Sequence, residues 1–415
     1  MNVHSGIATM PAEHGMDEGR LDAIAALVQE RYIGPGKLPC ADILVARNGA
    51  PVYRATLGHA RADGTPLAQD AIYRIASMSK PITSIAFMQL VEEGKIALDD
   101  PVSRVIPEFK NLGVYTGGGG AAPFAPTTPA PPMRMIDLLT HMAGFTYGFQ
   151  NRTSVDAAYR EKLPDGGRTI PGFDHFVSEL AQIPLEFAPG SAWNYSVATD
   201  VLGVVVARIA GKSLGEVLHE RIFAPLGMTD TGFTLPEASR DRLTDAYAYQ
   251  PGRAPKLIDP GATSKLTQPA AFEGGGGGLL STVADYDRFC RMLIGRGTLD
   301  GVRIIGPKTL DLMTANHLPG GADLTAMSKS AFSEAANAGT GFGLGFAMTL
   351  DPARTLIPGS AGEYFWGGMY STAFFIDPVE RLHMVFMTQL MPSSSYPIRR
   401  QLKTLIYSAV TDSYA

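Results

Sequence analysis

The stretch YRIASMSKPITSIAFMQLVEEGKI, residues 73–96, predicts a short extended segment followed at once by an amphipathic helix. Pro81 has no amide hydrogen and is tolerated in the first helical turn, and Gly94 is typical of a helix end. Residues three apart share a helix face, so the amine of Lys80 is expected beside the hydroxyl of Ser77. A lysine that is partly desolvated near the positive end of a helix has a lowered pKa and can accept a serine proton.

The same pair also has a purely structural interpretation. Ser77 would cap the helix, and Lys80 would lay its aliphatic chain along the protein surface. Taken alone, a serine three residues before a lysine is weak support for a nucleophile. The choice between the two interpretations therefore depends on the rest of the chain.

Composition and charge exclude several classes of function. The chain has 415 residues, of which 45% are apolar and 18% charged, so it fits about two compact domains and can bury a deep pocket. Its net charge of −5 gives no general attraction to nucleic acid or to an anionic membrane surface. Neither a secretion signal nor a membrane-spanning stretch stands out, so we expect a cytoplasmic protein without nucleic-acid or membrane partners.

Cys40 and Cys290 are the only cysteines, too few for a disulfide framework or a cysteine-based metal cluster. We expect both to be small buried side chains. No metal and no cofactor is expected.

Both ends of the chain combine a helix with antiparallel strands. A helical pattern at 17–33 precedes two extended runs within 41–58, and Asn48-Gly49 between these runs favours a type I′ hairpin turn. A second hairpin is predicted within 370–390, turning at Asp377-Pro378, and 397–410 has the pattern of a closing amphipathic helix.

The middle of the chain is predicted to be helical. Helix patterns lie at 133–145, 172–183, 197–211 and 214–228, and 115–132 is a Gly/Pro-rich loop to which we assign no regular structure. The predicted fold class is α/β plus α, an antiparallel sheet flanked by helices with an inserted helical domain. The α/β domain is expected to be discontinuous, covering 1–100 and 241–415, with the helical domain at 101–240.

Two glycine-containing motifs suggest chemistry that their surroundings do not support. Gly211-Lys-Ser-Leu-Gly matches the nucleophile elbow of α/β-hydrolases, but a helix and not a strand is predicted before it. We interpret Gly211 as a helix C-cap and Ser213 with Glu216 as a capping box. The same stretch fails as a phosphate-binding loop, because Val206 stands where that motif requires glycine.

The run Gly274–Gly278 also lacks the residues that complete a phosphate-binding loop, and we interpret it as a turn beside a pocket. Thr282 and Asp285 after it have the spacing of a helix cap. His141 lies near a predicted helix end, where a capping histidine is commoner than a catalytic base.

Two further motifs favour the catalytic interpretation of Ser77. Ser77-Met78-Ser79-Lys80 is followed by Tyr195-Ser196-Val197 and by Trp366-Gly367-Gly368, with LLTHMAGF, EGGGGGLLSTVADYDRF and GTGFGLGF at intervening positions. In this order the segments resemble the serine hydrolases that share the class C β-lactamase and DD-peptidase fold, most closely the family VIII carboxylesterases. The resemblance covers most of the chain and implies a β-lactamase-like fold.

The resemblance also implies roles for individual residues. Ser77 would be the acyl-accepting nucleophile, Lys80 and Tyr195 would share the proton transfers, and the Met369 amide would join that of Ser77 in an oxyanion hole. Substrate-binding roles are implied for a further set of residues, namely Trp366, Gly367, Gly368, Tyr147 and Val197. Which of Lys80 and Tyr195 is the principal base is left open.

Two departures from the lactamase pattern bear on the substrate. Val197 stands in the place of an asparagine and Trp366 in the place of a lysine, so an amide and a cation that could hold a β-lactam are absent. We therefore expect a carboxylesterase for short-chain or aromatic esters. Its pocket is expected to be apolar, with aromatic residues near the motifs at Tyr147, Phe149, Phe365 and Tyr370.

The alternatives are a β-lactamase or D-amino-acid peptidase with the same nucleophile, an acyltransferase, and a non-catalytic binding protein on this fold. The sequence leaves the natural ester and the oligomeric state open.

Overall fold

The computed structural model describes residues 2–3, 9–163, 170–329 and 338–415. The helices are α1 (Glu18–Val28), α2 (Ser79–Glu92), α3 (Met135–Leu139), α4 (Ser154–Lys162), α5 (Phe173–Leu180), α6 (Ala198–Ala210), α7 (Leu214–Leu218), α8 (Ala224–Leu226), α9 (Val283–Ile294), α10 (Pro307–Met313), α11 (Leu324–Met327), α12 (Pro352–Thr355) and α13 (Ile398–Ser408). The strands are β1 (Asn2–Val3), β2 (Cys40–Arg47), β3 (Ala50–Gly58), β4 (Tyr73–Arg74), β5 (Gly113–Val114), β6 (Gly118–Gly119), β7 (Ala122–Phe124), β8 (Thr128–Pro129), β9 (Ala246–Ala248), β10 (Lys256–Asp259), β11 (Leu280–Ser281), β12 (Thr298–Leu299), β13 (Val302–Arg303), β14 (Thr340–Phe342), β15 (Ala347–Thr349), β16 (Tyr364–Gly367), β17 (Ala373–Asp377), β18 (Leu382–Met387) and β19 (Leu390–Met391).

The main sheet is antiparallel and is built from both ends of the chain, in the order β1-β3-β2-β18-β17-β16-β15-β14. Asn48 and Gly49 connect β2 to β3 with φ angles of 55° and 78°, the left-handed pair that a type I′ turn requires. A second hairpin joins β17 to β18. Both predicted hairpins and the antiparallel sheet are confirmed.

Apolar cores lie on both faces of this sheet. One core packs α1 and α13 against the sheet, with Leu21, Ile43 and Leu402 among its buried residues. The larger core on the other side includes α2, α6 and α9. Every residue of β2 is buried, which is why its sequence is a nearly continuous apolar run and does not alternate. Cys40 and Cys290 are both buried, as expected.

Helix α2 is buried on nearly all of its sides, and it packs against α6 and α7. Every residue from Ser79 to Met88 is buried. The prediction of an amphipathic helix is therefore wrong for α2, although its position and its end are right: it stops at Glu92, and Gly94 follows with φ 68°. Ser77 precedes it in a 3₁₀ turn, Ala76–Met78.

The helical middle of the chain matches the prediction at α5 and α6, and α7 runs through a π-helical turn into α8. Of 133–145, only α3 is helical. Helix α4 was missed by the sequence analysis, and a capping box of Thr153 and Asp156 begins it. The Gly/Pro-rich loop at 115–132 contains the short strands β6, β7 and β8: β6 pairs with β7, and β8 pairs with β5 just before the loop. The domain boundaries at 100 and 241 stay a prediction.

In the ranges that the structure describes, no helix combines the length and apolar character that a bilayer-spanning segment requires.

Candidate active site

Ser77 is presented by a tight turn that surrounding groups hold in place. Ala76 just before it has φ 46°, an unfavourable left-handed conformation for a non-glycine residue, as is common at functional sites. The hydroxyl of Ser79 donates to the carbonyl of Ala76 at 2.7 Å, and the phenol of Tyr286 donates to the carbonyl of Met78 at 3.0 Å. These bonds fix the backbone on both sides of Ser77.

Two side chains converge on the Ser77 hydroxyl. The phenol of Tyr195 lies 2.5 Å from Ser77 Oγ, and Lys80 Nζ lies 3.2 Å from the same atom. Lys80 Nζ is also 4.6 Å from the centroid of the Tyr195 ring. The structure therefore brings together the three residues that the sequence singled out, although Tyr195 is 118 positions from Ser77.

Lys80 is only 1% exposed and has further oxygen partners besides Ser77. Its Nζ donates to the carbonyl of Gly276 at 2.6 Å and to the hydroxyl of Tyr147 at 3.0 Å. Together with Ser77, these oxygen atoms are acceptors for the hydrogens that an ammonium group carries. The predicted pocket-side turn at Gly274–Gly278 thus supplies a backbone ligand for Lys80.

Asp200, in the first turn of α6, is a buried carboxylate beside Lys80 that the sequence analysis did not identify. It accepts a hydrogen bond from the Gly276 amide at 2.9 Å and is hydrogen-bonded to Tyr147. Burial raises the pKa of Asp200, and the charge of Lys80 opposes that rise. A Cβ atom at Gly276 would lie 2.5 Å from Asp200 Oδ2, so this contact requires glycine.

Tyr147 lies between the two charged groups, where its hydroxyl joins Lys80 to Asp200. Burial raises the pKa of Tyr147 well above its ordinary value, and the nearby Asp200 charge adds to the rise. Its phenol therefore stays protonated. The Tyr147 ring stacks on Phe149, whose side chain is 64% exposed.

Aromatic rings surround Tyr195. Its ring contacts those of His141, Tyr147 and Trp366 at centroid distances of 5.0, 5.1 and 5.6 Å. Burial lowers the pKa of His141 well below its usual value, and the charge of Lys80 lowers it further. His141 is thus a neutral packing group with Nδ1 3.3 Å from Ser196 Oγ, and it lies just beyond the end of α3.

The backbone amides of Ser77 and Met369 are candidates for an oxyanion hole. Neither amide donates a hydrogen bond within the described part of the chain. The two lie on neighbouring segments, because a Cβ atom at Gly368 would overlap Ile75 O and Thr372 Oγ1. Gly368 is therefore required by close packing next to the nucleophile turn.

The remaining predicted pocket residues lie in different surroundings. Trp366 is buried in β16, whereas Phe365 contacts Lys403 of α13, as the alternation of side chains along a strand requires. Val197 is buried at the N-terminus of α6. Tyr370 lies in the turn after β16, where burial raises the pKa of its phenol.

The interpretation of Gly211 as a helix C-cap and of Ser213 with Glu216 as a capping box is confirmed, and residues 275–277 form a turn as predicted. Ser213 accepts from the Glu216 amide while Glu216 accepts from the Ser213 amide, and Gly211 ends α6 with φ 67°. Thr282 caps α9 by accepting from the Asp285 amide. Across the described ranges, no group of His, Cys, Asp or Glu side chains is arranged to bind a metal ion.

Comparison with known proteins identifies the family. A family model described as Beta-lactamase matches residues 22–408. The chain belongs to the beta-lactamase family. Its β-lactamase-like fold is likewise that of the solved structure of "EstCE1, a hydrolase with promiscuous acyltransferase activity", with a TM-score of 0.78, 27% identity, and coverage of 94% of this chain and 99% of that one.

Within the beta-lactamase family, the curated relatives include an esterase. Protein Rv1367c of Mycobacterium tuberculosis is 38% identical over 80% of both chains. Esterase EstB of Burkholderia gladioli is 31% identical over 94% of this chain and 95% of its own. These likenesses support the predicted enzyme class, a carboxylic ester hydrolase of the serine hydrolase type.

Proposed function

We propose that the protein hydrolyses short-chain or aromatic carboxylic esters through an acyl-enzyme formed on Ser77. The observation that carries the proposal is the convergence of the Tyr195 phenol and the Lys80 amine on the Ser77 hydroxyl, at 2.5 and 3.2 Å. A nucleophile within hydrogen-bond reach of a base that is itself oriented by a third group is the arrangement required for covalent catalysis. Likeness to Esterase EstB supports esters as the substrate class.

In this proposal Tyr195 accepts the serine proton and Lys80 is a fixed cation. Oxygen acceptors from Ser77, Tyr147 and Gly276 around Lys80 Nζ suit a protonated amine, and the buried Asp200 carboxylate nearby favours the same charge state. Tyr195 is proposed to take the serine proton because its phenol contacts Ser77 Oγ, and Lys80 Nζ, 4.6 Å from the Tyr195 ring centroid, is placed to stabilise negative charge on the phenol oxygen. The protonated phenol then returns the proton to the departing alkoxide.

The Ser77 and Met369 amides are proposed to hold the oxygen of the tetrahedral intermediate. Both are without an acceptor in the described residues, and preorganised donors of this kind cost no rearrangement when charge develops. Water then attacks the acyl-enzyme by the reverse proton path through Tyr195.

The substrate is proposed to be neutral and apolar near its acyl carbonyl. Trp366 beside Tyr195 offers a ring face in place of a cation, and the exposed ring of Phe149 extends the apolar surface beyond Tyr147. Gly367, Gly368 and Val197 are proposed to border the acyl group.

The test compares Ser77→Ala with Ser213→Ala. The first should lower kcat on a nitrophenyl ester by about 10⁴-fold or more, as expected when a covalent nucleophile is removed. The second leaves activity per folded molecule unchanged, because Ser213 only caps α7. Intact mass spectrometry should find an added acyl group on the unaltered protein and none on Ser77→Ala. Full activity in Ser77→Ala would overturn the proposal, and failure of Ser77 to react with a fluorophosphonate would favour a binding protein.

Acyl transfer is a second candidate, favoured by the likeness to EstCE1, whose description includes promiscuous acyltransferase activity. The same acyl-enzyme would pass its acyl group to an alcohol in place of water. Adding a primary alcohol to the ester assay should then form the new ester while total nitrophenol release is maintained. Absence of the new ester at molar alcohol would restrict the protein to hydrolysis.

A further inference from the structure

Arg399, on α13, lies beneath the loop that presents the Met369 amide. Its Nη2 donates to the carbonyl of Gly368 at 2.7 Å and to the carbonyl of Thr372 at 2.5 Å. A Cβ atom at Gly367 would lie 2.7 Å from Arg399 Cζ, so a glycine here lets the guanidinium lie flat against the backbone. In the Trp-Gly-Gly motif, Gly367 therefore packs against Arg399, and Gly368 packs against the segment that leads into the nucleophile turn.

The carbonyl that Arg399 contacts and the amide of Met369 belong to one peptide unit. This unit is planar and conjugated, so a cation at its oxygen draws electron density away from its nitrogen. The Gly368 oxygen also accepts from the Ser371 amide at 3.0 Å. Hydrogen bonds arranged in series polarise one another, and a charged donor has the larger effect. The Met369 amide hydrogen thus becomes a stronger donor.

We propose that Arg399 is a positioning residue for the oxyanion hole: it orients and polarises the Gly368–Met369 peptide so that the Met369 amide binds the developing oxyanion. The inference rests on the proposed acyl-enzyme mechanism at Ser77. Because the negative charge on the substrate oxygen develops only in the transition state, the contribution of Arg399 appears in kcat and not in substrate binding.

The experiment compares Arg399→Met, Arg399→Gln and Arg399→Lys with Arg400→Met. Arg400 is the next residue of α13 and its Nη2 also donates to a backbone carbonyl, that of Leu356 at 2.9 Å, so it is a matched control. Each variant is assayed with a nitrophenyl ester, after titration of reactive sites with a fluorophosphonate. Inhibition is measured with an aryl trifluoromethyl ketone, which forms an oxyanion on reaction with serine, and with the corresponding alcohol, which forms none.

Arg399→Met should lower kcat by about 10- to 100-fold, up to the loss of one oxyanion donor, with KM changed by less than about 3-fold. The inhibition constant for the ketone should rise by a similar factor while that for the alcohol stays constant. Arg399→Lys should retain more activity than Arg399→Gln, because only lysine keeps the cation. Arg400→Met should behave as the unaltered protein does.

A merely structural role predicts a different pattern. Equal weakening of the ketone and the alcohol, an unchanged kcat in Arg399→Met, or equal loss in Arg400→Met would overturn the inference. If Arg399→Met fails to fold, equal kcat values for the lysine and glutamine variants would overturn it. An inactive Ser77→Ala with an unaffected Arg399→Met would reject the role of Arg399 alone, whereas a fully active Ser77→Ala would reject the mechanism itself.

Discussion

The ring and the hydroxyl of Tyr147 make different contacts. Its ring stacks on the exposed Phe149, whereas its hydroxyl joins Lys80 to Asp200. The sequence analysis assigned it to substrate binding alone. The contact made by the hydroxyl indicates a second role, which is to hold the charged amine of Lys80 next to the Ser77 hydroxyl.

Tyr147→Phe keeps the ring and removes this hydroxyl. We expect kcat to fall by about 10-fold with little change in KM, since one hydrogen bond to a charged group contributes about 1.5–3 kcal/mol. Steady-state kinetics on titrated sites check this result. Tyr32→Phe is the control, because it also removes a phenol with a side-chain hydrogen bond, to Gln401 at 2.6 Å in the other core. Equal kcat values in both variants would contradict the assignment.

Trp366 is expected to determine the selectivity for esters over β-lactams. An indole cannot pair with a carboxylate as an ammonium does, so kcat/KM for a short-chain nitrophenyl ester should exceed that for nitrocefin by at least about 10²-fold. Trp366→Lys should narrow the gap by adding a cation beside Tyr195. Parallel assays with both chromogenic substrates measure the ratio. Comparable efficiency of the unaltered protein toward the two would favour the β-lactamase alternative.

His141 gives the stability a dependence on pH. Burial and then the Lys80 charge keep the pKa of His141 well below 6.5, so it is neutral in the fold. The unfolded chain binds a proton below pH of about 6.5, and this favours unfolding as the pH falls, by up to about 1.4 kcal/mol per pH unit. Above that pH the histidine is neutral in both states and the effect vanishes.

His141→Asn removes the titrating ring at a position whose φ of 57° asparagine tolerates. Urea unfolding of both proteins between pH 5 and 8 should show that the free-energy difference is constant above about pH 7 and changes below it, with the steeper decline in the unaltered protein. Parallel curves over the whole range would argue against a neutral buried His141.

At the scale of secondary-structure elements, the turn at Gly274–Gly278 forms hydrogen bonds to both helix α2 and helix α6. Its Gly276 carbonyl binds Lys80 of α2, and its Gly276 amide binds Asp200 of α6. The neighbouring Gly277 is exposed, and a Cβ atom there would have no heavy atom nearer than 3.9 Å. An added methyl group would therefore clash at Gly276 but not at the adjacent Gly277.

Gly276→Ala should lower kcat by at least about 10-fold, because the added methyl group displaces either the Asp200 carboxylate or the turn whose Gly276 carbonyl binds Lys80. Gly277→Ala should stay within about 3-fold of the unaltered protein, since it adds the same methyl group without a clash. Kinetic assays together with thermal unfolding of both variants test the pair. A Gly276→Ala variant with normal kcat would show that Asp200 is dispensable for holding Lys80.

Features that depend only on residues close together in the sequence could be predicted from it. The Ser77–Lys80 pair, the Asn48-Gly49 turn and the Ser213 capping box all depend on neighbours in sequence, and all three were predicted. The burial of α2 on nearly all sides was not predicted, because it depends on which elements pack around the helix.

The parts of the site that depend on distant partners could not be predicted from residue patterns alone. Tyr195 was found through family resemblance, since nothing local indicates a partner 118 positions away. Asp200 and Arg399 were missed because an acidic residue in a first helical turn and an arginine on a closing helix are ordinary features. Their positions opposite Gly276 and Gly368 become visible only when the chain is folded.

Over the whole molecule, Arg47 ties both ends of the chain together. It is fully buried, and its guanidinium donates to backbone carbonyls of His14, Gly15 and Asp412 as well as to Glu380. Such a residue contributes to stability through several partners at once, while it has no contact with Ser77.

Arg47→Met should lower the free energy of unfolding by about 3–5 kcal/mol, because Glu380 is left buried without its partner. Activity per folded molecule should be retained at low temperature. Arg104→Met is the control: Arg104 pairs with Asp100 at 2.6 Å but is 57% exposed, and such surface pairs contribute about 1 kcal/mol or less. Chemical denaturation and kinetics of both variants make the comparison. Equal losses of stability would contradict the importance of the buried position.

The pairing of β2 with β18 has a consequence for synthesis on the ribosome. The strands lie side by side at the centre of the sheet, yet Arg47 and its partner Glu380 are 333 residues apart. The β2–β3 hairpin therefore emerges long before the strand that completes its edge, and its apolar flank stays open until β18 has been synthesised. During that interval the nascent chain already contains Ser77 and Lys80 but lacks Met369 and Arg399. The proposed site is therefore complete only after Arg399 has been synthesised, long after its nucleophile.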